Sequence, residues 1–209
     1  METPYWVLTG VAALLVAVII SYLIQKYACH KPMPNVWVYL LYIFIFWMWI
    51  FAIYETPGKR REKLKKAGVK KGQVIVDLGC GPGRFTNIAA RLVGTEGKVY
   101  AVDNHPLNIV IAAARKLIGN FKNINILQAD CVATHLPDKA IDLIFINDAF
   151  HEFDKVGCLK EAARILKEDG VLAIDEHEMK EDKLLGIVEE SGLFTLINKD
   201  KRLYKFKLL

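Results

Sequence analysis

Residues 74–86, VIVDLGCGPGRFT, decide how the rest of the chain folds. The first residues are apolar and β-branched, which is typical of a buried strand, and this strand is predicted to end at Asp77. The glycines Gly79, Gly81 and Gly83 follow, and residues compatible with a helix begin at Arg84. The stretch therefore predicts a strand, a tight turn and the start of a helix.

The glycine turn predicts a ligand site. A strand that ends in closely spaced glycines lets a ligand approach bare backbone, because no Cβ stands in the way, and the amides of the next helix favour a polar group. The spacing is G-x-G-x-G, with Arg84 at the last position of the dinucleotide fingerprint G-x-G-x-x-G. The P-loop pattern is also absent. The turn therefore departs from the sites that bind dinucleotides and nucleoside triphosphates.

Residues 77–83, DLGCGPG, resemble motif I of the class I S-adenosylmethionine-dependent methyltransferases. The resemblance covers roughly the last two-thirds of the chain, where further motifs follow in the expected order. It implies that S-adenosylmethionine is the cofactor and that residues of this turn bind it, namely Asp77, Gly79, Cys80, Gly81 and Gly83. A turn that only connects a strand to a helix would not explain the later motifs.

Apolar runs of strand length alternate with helical stretches from Gly72 onward, which predicts βα units on a parallel sheet. Strands are predicted at 74–77, 98–102, 124–127, 141–146 and 171–174. Helices are predicted at 85–93, 107–118, 155–166 and 183–191, and a terminal hairpin at 194–198 and 203–208. This order resembles the Rossmann-like sheet of class I methyltransferases, whose last strand is antiparallel. Residues 72–209 would form this domain, with little room for a helix between Asp130 and Ile141 and no inserted cap.

The mean hydropathy of +0.23 is high for a soluble chain, and the excess lies near the N-terminus. Residues 4–27 contain no charge before Lys26, and residues 36–54 are uncharged. About 20 apolar residues cross a bilayer as a helix, so residues 1–54 are predicted to form a hairpin of two transmembrane helices. A signal peptide fits poorly without a basic n-region. A core helix of a soluble domain would explain one run but not two in succession.

The segment 55–71, ETPGKRREKLKKAGVKK, is dense in lysine and arginine. The positive-inside rule places it in the cytoplasm, which predicts a multi-pass protein of the cell membrane with a cytoplasmic catalytic domain. We expect a juxtamembrane linker or helix that also contacts anionic headgroups, at about 1 kcal/mol per basic residue. No nucleic-acid partner is predicted, because aromatic residues are not interleaved with these charges.

Acidic residues follow the second and third predicted strands, at the edge of the sheet where ligands bind in open α/β folds. The resemblance implies that Asp103 accepts hydrogen bonds from both ribose hydroxyls. It also implies that Asp130 accepts a hydrogen bond from the adenine amino group. Asn104 and Cys131 are assigned to the cofactor site together with their neighbours Asp103 and Asp130. His105, beside Asn104, is a further candidate.

Residues 147–151, NDAFH, follow the fourth strand, where the family places the acceptor. The stretch lacks the D/N-P-P-Y signature and is more similar to the quinone and small-molecule methyltransferases. Asn147, Asp148 and His151 are assigned to the catalytic centre, and Asn147 also to the cofactor site. His151 is either a general base or substrate-orienting group, since histidine titrates near neutral pH, or a cap of the next helix.

Residues 175–178, DEHE, place several ionisable groups after the fifth strand. With His151 they offer nitrogen and oxygen ligands that suit zinc or a transition metal. Consecutive side chains point in different directions, however, and the four cysteines of the chain lack a zinc spacing. We therefore predict no metal, and we interpret the run as partly solvated loop residues, one or two of which face the acceptor.

These features predict a membrane-anchored S-adenosylmethionine-dependent methyltransferase. The bilayer is a predicted partner, and the acceptor is predicted to be a lipophilic molecule such as a phospholipid, an isoprenoid quinone or another membrane lipid. Two alternatives stay open. The first is a methyltransferase of a soluble metabolite or protein, with the hairpin only as a tether, and the second is a non-catalytic interaction protein that binds S-adenosylmethionine. The acceptor atom and the oligomeric state also stay open.

Overall fold

The computed structural model describes residues 56–209, of which Pro57–Leu209 form one compact unit. The helices are α1 (Pro57–Ala67), α2 (Thr86–Val93), α3 (Pro106–Ile118), α4 (Lys155–Ile165) and α5 (Glu181–Glu190), with a 3₁₀ turn at Phe150–Glu152. The strands are β1 (Val74–Leu78), β2 (Lys98–Asp103), β3 (Ile124–Gln128), β4 (Ile141–Asn147), β5 (Leu166–Asp175), β6 (Phe194–Asp200) and β7 (Leu203–Leu208).

The predicted transmembrane hairpin, residues 1–54, lies outside the described residues. From residue 56 onward, no helix has both the length and the apolar character that a membrane crossing requires. Most of the basic segment is described, and its helix α1 packs onto the domain through the buried side chains of Leu64 and Ala67.

All seven strands form one sheet in the order β3-β2-β1-β4-β5-β7-β6. Strands β1 to β5 run parallel, and β7 is antiparallel to both β5 and β6. The Rossmann-like sheet and its antiparallel last strand are therefore confirmed. The chain reverses its direction across the sheet between β1 and β4, which opens a crevice at the carboxyl ends of these two strands.

The predicted and observed elements differ most at β5. The prediction begins this strand at Val171, whereas Leu166 already pairs with Ile141 of β4. Leu143 pairs with Val171, so residues 167–170 form a bulge between the two registers. The bulge contains a lysine, two acidic residues and Gly170, and this composition is typical of a turn. Sequence pattern alone therefore hides the first half of the strand.

Helices cover both faces of the sheet, because alternate strand residues point to opposite sides. Ile75 of β1 packs in one apolar cluster with α1 and α2. Val76 packs in the other cluster with α4 and α5. Helix α3 lies beside α2, where the Asn87 side chain donates to the carbonyl of Arg115 at 3.3 Å. The helices α1, α2 and α3 thus form one layer, and α4 and α5 form the opposite layer.

The connection from β3 to β4 contains no helix, as predicted. Its middle is held to α4 by the buried carboxylate of Glu161, which accepts from the amide and hydroxyl of Thr134 at 2.8 and 2.6 Å. Arg164 donates to the same carboxylate and, together with Thr134, lowers the pKa of Glu161 to about 2. These charge-assisted bonds fix the loop that carries Cys131.

Candidate active site

A cleft of about 340 Å³ opens at the carboxyl ends of β1, β2 and β4. The predicted residues that line it are Gly79, Gly81, Asp103, Asn104, Cys131 and Asp148. Further lining residues include His105, Asn108, Ala149, Glu152 and Phe153. The glycine turn, the acid after β2 and the loop after β4 therefore meet at one place, as the order of the motifs predicts.

Gly79 and Gly81 serve different purposes in the turn. A Cβ on Gly79 would lie 2.8 Å from the Cβ of Ala149 and 2.9 Å from the Phe153 ring, so this glycine is required for close packing. A Cβ on Gly81 would meet nothing within 4 Å. Both residues have a positive φ, at +72° and +52°. The backbone at Gly81 is therefore the part of the turn that stays open to a ligand.

Asp103 connects the end of β2 to the glycine turn. One carboxylate oxygen accepts from the Gly81 amide at 2.8 Å, and the other accepts from the His105 amide at 2.9 Å and the Asn108 side chain at 3.2 Å. A carboxylate has about four acceptor positions, so the protein already uses most of them. Asp103 thus shapes the cleft in addition to its predicted contact with the ribose, which stays a prediction.

Asp77 lies beneath the turn and does not line the cleft. Its buried carboxylate accepts from the Thr86 hydroxyl at 2.6 Å. Burial raises the pKa of Asp77 to about 6, and the charge of Asp103 adds to this effect, while the Thr86 bond opposes it. Cys80 and Gly83 are also absent from the cleft lining, and Gly83 lies against Ala112 of α3.

The two predicted residues after β3 occupy different places. Cys131 lines the cleft, and its sulfur accepts a hydrogen bond from the Cys158 thiol, which together with burial raises the pKa of Cys158. Asp130 is exposed, does not line the cleft, and accepts from the Val132 amide at 3.1 Å. The predicted contact between Asp130 and adenine stays a prediction.

Asn147 and Asp148, at the end of β4, also occupy different places. The Asn147 side chain accepts from Lys63 of α1 at 3.1 Å, and Lys63 forms an ion pair with the buried Asp175 at 2.6 Å. Asn147 does not line the cleft, whereas Asp148 does. Asp148 has a φ of +51°, a conformation that costs a non-glycine residue roughly 1 kcal/mol or more and that clusters at functional sites.

His151 is half-buried and is held by Glu176. Its Nδ1 lies 3.1 and 3.2 Å from the two carboxylate oxygens of Glu176, and its amide donates to the same carboxylate at 3.1 Å. A carboxylate only accepts, so Nδ1 carries the proton and Nε2 has a free lone pair in the neutral ring. Nε2 lies 3.5 Å from Glu178 and 3.8 Å from Glu152, which lines the cleft.

Glu176 is buried and ionised. Burial raises its pKa, but hydrogen bonds from the Glu178 amide and from His151 outweigh this effect and leave the pKa of Glu176 below its ordinary value. The amide of His177 also donates to it at 2.8 Å. The interpretation of residues 175–178 as partly solvated is therefore wrong for Asp175 and Glu176, which the end of β5 buries.

Asp148, His151 and Glu176 can bring three donor atoms within 4.8 Å of one another. This distance would suit a cation, but both oxygens of Glu176 already accept hydrogen bonds from amides and from His151. The arrangement therefore has the geometry of a carboxylate that orients a histidine. The absence of a metal stays a prediction.

The predicted site residues do not include Asn108, Glu152 or Lys63, and the pairing of Glu176 with His151 is not among the predictions. Asn108 lies in the first turn of α3, five residues after Asp103, which is a signal that the sequence carries. Lys63 and Glu176 are distant in sequence from their partners, and no local pattern indicates these pairs.

Residues 69–207 match a protein family described as "Methyltransferase domain". The ubiquinone/menaquinone biosynthesis C-methyltransferase of Marinomonas sp. is 30% identical over 143 residues, which are 66% of this chain and 56% of that protein. The demethylmenaquinone methyltransferase of Lactobacillus johnsonii is 33% identical over 147 residues, which are 68% of this chain and 59% of that protein. The chain spans about half the length of the curated relatives that it matches.

A solved structure supports the same assignment. The S-adenosylmethionine-dependent methyltransferase of Aquifex aeolicus has a TM-score of 0.62 and 26% identity, covering 71% of this chain and 88% of that chain. The family match extends over more than half of the sequence and includes the glycine turn, the cleft and the His151–Glu176 pair. The chain therefore belongs to the methyltransferase-domain family, as an enzyme of the S-adenosylmethionine-dependent class.

Proposed function

We propose that this protein transfers a methyl group from S-adenosylmethionine to a ring carbon of a prenylated hydroquinone, at the cytoplasmic surface of the cell membrane to which residues 1–54 anchor it. The observation that carries the proposal is the His151–Glu176 pair, which adjoins the glycine-turn cleft through Glu152 and does not itself line it. The names of the curated relatives support a quinone-type acceptor.

The residues of the cleft fit the cofactor. The open backbone at Gly81 offers room that a Cβ would occupy, and the carboxylates of Asp103 and Asp77 provide negative charge at and beneath the turn. When bound, S-adenosylmethionine supplies a methyl group on a positively charged sulfur. Asp103, Asn104 and Gly81 would hold it, and its positive charge would stabilise the ionised form of the buried Asp77.

Methylation of a hydroquinone ring needs a base. A ring carbon becomes nucleophilic when the neighbouring phenol loses its proton, and the unprotonated Nε2 of His151 accepts that proton. The carbon–carbon bond would then form as the methyl–sulfur bond breaks, with S-adenosylhomocysteine as the leaving group. The substituted ring carbon would lose its proton to water, and the phenolate would regain a proton from the His151 imidazolium. Glu176 orients the imidazole and stabilises the imidazolium, in the way that a carboxylate supports a catalytic histidine.

A lipophilic acceptor agrees with two further observations. Residues 1–54 contain two uncharged runs of membrane-spanning length. Within residues 56–209, the helices and strands belong to the sheet and its two layers, and no inserted cap covers the cleft. Without a cap, the cleft stays accessible to an acceptor that is held in a bilayer.

The test is methyl transfer by the full-length protein in detergent, with radiolabelled S-adenosylmethionine and three acceptors in parallel. These are a demethylated prenyl hydroquinone kept reduced, a phospholipid extract and a soluble metabolite extract. We expect label in the hydroquinone. Label only in phospholipid or in the soluble extract contradicts the acceptor class, and binding of the cofactor without any transfer favours the non-catalytic alternative.

Substitutions at the histidine pair test the mechanism. His151→Ala should lower kcat by about 10²- to 10⁴-fold, as expected for loss of a general base, and should change the Kd for the cofactor by less than about twofold. Glu176→Gln should lower kcat less than His151→Ala, because the amide oxygen still accepts from Nδ1 but a neutral partner no longer stabilises the imidazolium. The exposed Glu178, whose carboxylate lies 3.5 Å from Nε2, provides Glu178→Gln as the control. A wild-type kcat in Glu176→Gln contradicts the proposed support of the imidazolium.

A further inference from the structure

Helix α3 exposes an apolar stripe to solvent. Leu107, Val110, Leu117 and Ile118 are 60%, 63%, 81% and 84% exposed. Their spacing places them on one face of a helix, together with the exposed Ala114. Arg115 is the one exposed charged residue between Leu107 and Ile118. An apolar face of this extent on a surface helix marks a contact with another molecule or with a membrane.

The stripe begins at the mouth of the cleft. His105 and Asn108 line the cleft, and Leu107 lies between them in the sequence, in the first turn of α3. The far end of the stripe, Leu117 and Ile118, is the end of the same helix. A molecule that covers the stripe would therefore border the entrance through which ligands reach the glycine turn.

The layer that contains α3 is basic. Helix α1 carries six basic residues and one acidic residue, and neither α2 nor α3 carries an acidic residue. Lys59, Arg61, Lys65, Arg91 and Arg115 of this layer are exposed. Helix α5 of the opposite layer carries four acidic residues and one lysine. Helix α4 of the opposite layer carries three basic residues and one acidic residue, so the helices of that layer are together close to neutral, whereas those of the layer of α1, α2 and α3 are strongly basic.

We propose that the layer of α1, α2 and α3 lies on an anionic lipid bilayer, with the α3 stripe inserted among the headgroups and the basic side chains facing the lipid phosphates. The combination of an apolar stripe and a basic surround is the pattern of helices that bind at a membrane interface. A second copy of the same layer is a poor occupant, because like charges would face each other across the contact.

This proposal deepens the proposed function and rests on it. The lipophilic acceptor enters the cleft along the first turn of α3, directly from the bilayer. Deeper burial of the stripe brings the mouth of the cleft closer to the acceptor. The stripe therefore affects how well the enzyme reaches acceptors held in a membrane. It does not affect the methyl transfer step.

The experiment measures the depth of single fluorescent labels in the full chain. The label is placed at Leu117→Cys, and the matched control is Glu190→Cys, an exposed position on α5. Both carry Cys29→Ser, because Cys80, Cys131 and Cys158 are buried. Vesicles contain phosphatidylcholine and about 30% phosphatidylglycerol, with a spin-labelled lipid that quenches near the headgroups.

We expect quenching at position 117 to be at least about twofold stronger than at position 190, and to decrease when phosphatidylglycerol is omitted or salt is raised. Equal and weak quenching at both positions overturns the proposal. If the fluorescence of the label at position 117 changes with the protein concentration and not with the lipid, the stripe contacts a second copy of the chain. That outcome also overturns the proposal.

A second variant connects the surface to turnover. Leu117→Glu combined with Ile118→Glu should raise KM for a hydroquinone held in vesicles by about fivefold or more, since charged side chains resist burial at the interface. Turnover of a short-chain, water-soluble hydroquinone should stay unchanged. Equal loss with both acceptors contradicts a docking role. If no hydroquinone is methylated at all, the proposed function fails, while the quenching still decides whether the layer binds lipid.

Discussion

At the scale of single residues, Gly81 is a position where a Cβ would obstruct a ligand but would meet no protein atom within 4 Å. Gly81→Ala should lower the free energy of unfolding by about 1–2 kcal/mol because of the positive φ. It should also weaken cofactor binding by about tenfold or more, because the methyl group takes up open space at a residue that lines the cleft. Isothermal titration with S-adenosylmethionine measures the binding. Gly72→Ala is the matched control, since Gly72 has a φ of +83° and open space but lies at the opposite end of the sheet. Equal affinity in the two variants contradicts the predicted role of Gly81.

Asp77 is a residue whose burial lowers stability. Its pKa of about 6 exceeds the ordinary value of 3.8, so the folded state binds the proton more tightly than the unfolded state. The resulting loss of stability is absent below pH 3.8, grows as the pH rises to 6, and is complete above pH 6, where it approaches about 3 kcal/mol. A buried acid with such a cost, directly beneath a ligand turn, is typical of a functional site.

Asp77→Asn should therefore raise the free energy of unfolding by about 1–3 kcal/mol at pH 8 and by less at pH 4. It should also weaken cofactor binding by about tenfold or more, because the buried negative charge is lost. Urea unfolding, monitored by circular dichroism, measures the change in stability. Cofactor titration measures the change in affinity. A stabilised variant with wild-type affinity would show that Asp77 does not serve the cofactor.

At the scale of elements, Lys63 connects α1 to the active-site edge of the sheet. Lys63 is 19% exposed and bridges Asn147 at the end of β4 and Asp175 at the end of β5. The amide of Asp148 donates to the carbonyl of Asp175 at 2.7 Å. A change at Lys63 therefore reaches the loop that carries Asp148 and His151.

Lys63→Met should lower the free energy of unfolding by about 2 kcal/mol, since it removes a charged partner of the buried Asp175, and should also lower kcat. Lys66→Met is the control. Lys66 pairs with Glu62 and Asp200 at the surface, where ion pairs contribute little, so we expect no measurable loss. Urea unfolding and methyl transfer assays on both variants decide the question. Equal behaviour of the two variants would contradict a special role of Lys63.

At the scale of the whole molecule, residues 1–54 should determine which acceptors the enzyme uses. Under the proposed function, anchoring by residues 1–54 would confine enzyme and acceptor to one membrane and raise their effective concentration. Deletion of residues 1–54 should lower transfer to a vesicle-held hydroquinone by about tenfold or more, while the Kd for the cofactor changes by less than about twofold. The cofactor titration verifies that the shortened protein folds. Unchanged turnover would contradict a role of residues 1–54 in the use of the acceptor.

The sequence alone determined the framework of the domain. Apolar alternation and the glycine turn predict β1 to β4 within two residues at either end, and the order of the motifs predicts a shared edge for Gly79, Gly81 and Asp103. These signals are local, because strand periodicity and turn chemistry depend on residues close together in the chain. The first half of β5 was not predicted, because the polar residues of its bulge resemble a turn.

The tertiary structure alone decided which side chains act together. Glu176 lies 25 residues from His151, and Lys63 lies 84 residues from Asn147. Burial of Asp77 and exposure of the α3 stripe likewise depend on how the layers pack. The sequence determined the strands, the glycine turn and the family, because those follow from neighbouring residues. Only the folded sheet could decide the histidine pair, the position of α1 and the apolar stripe, because these depend on residues that packing brings together from distant parts of the chain.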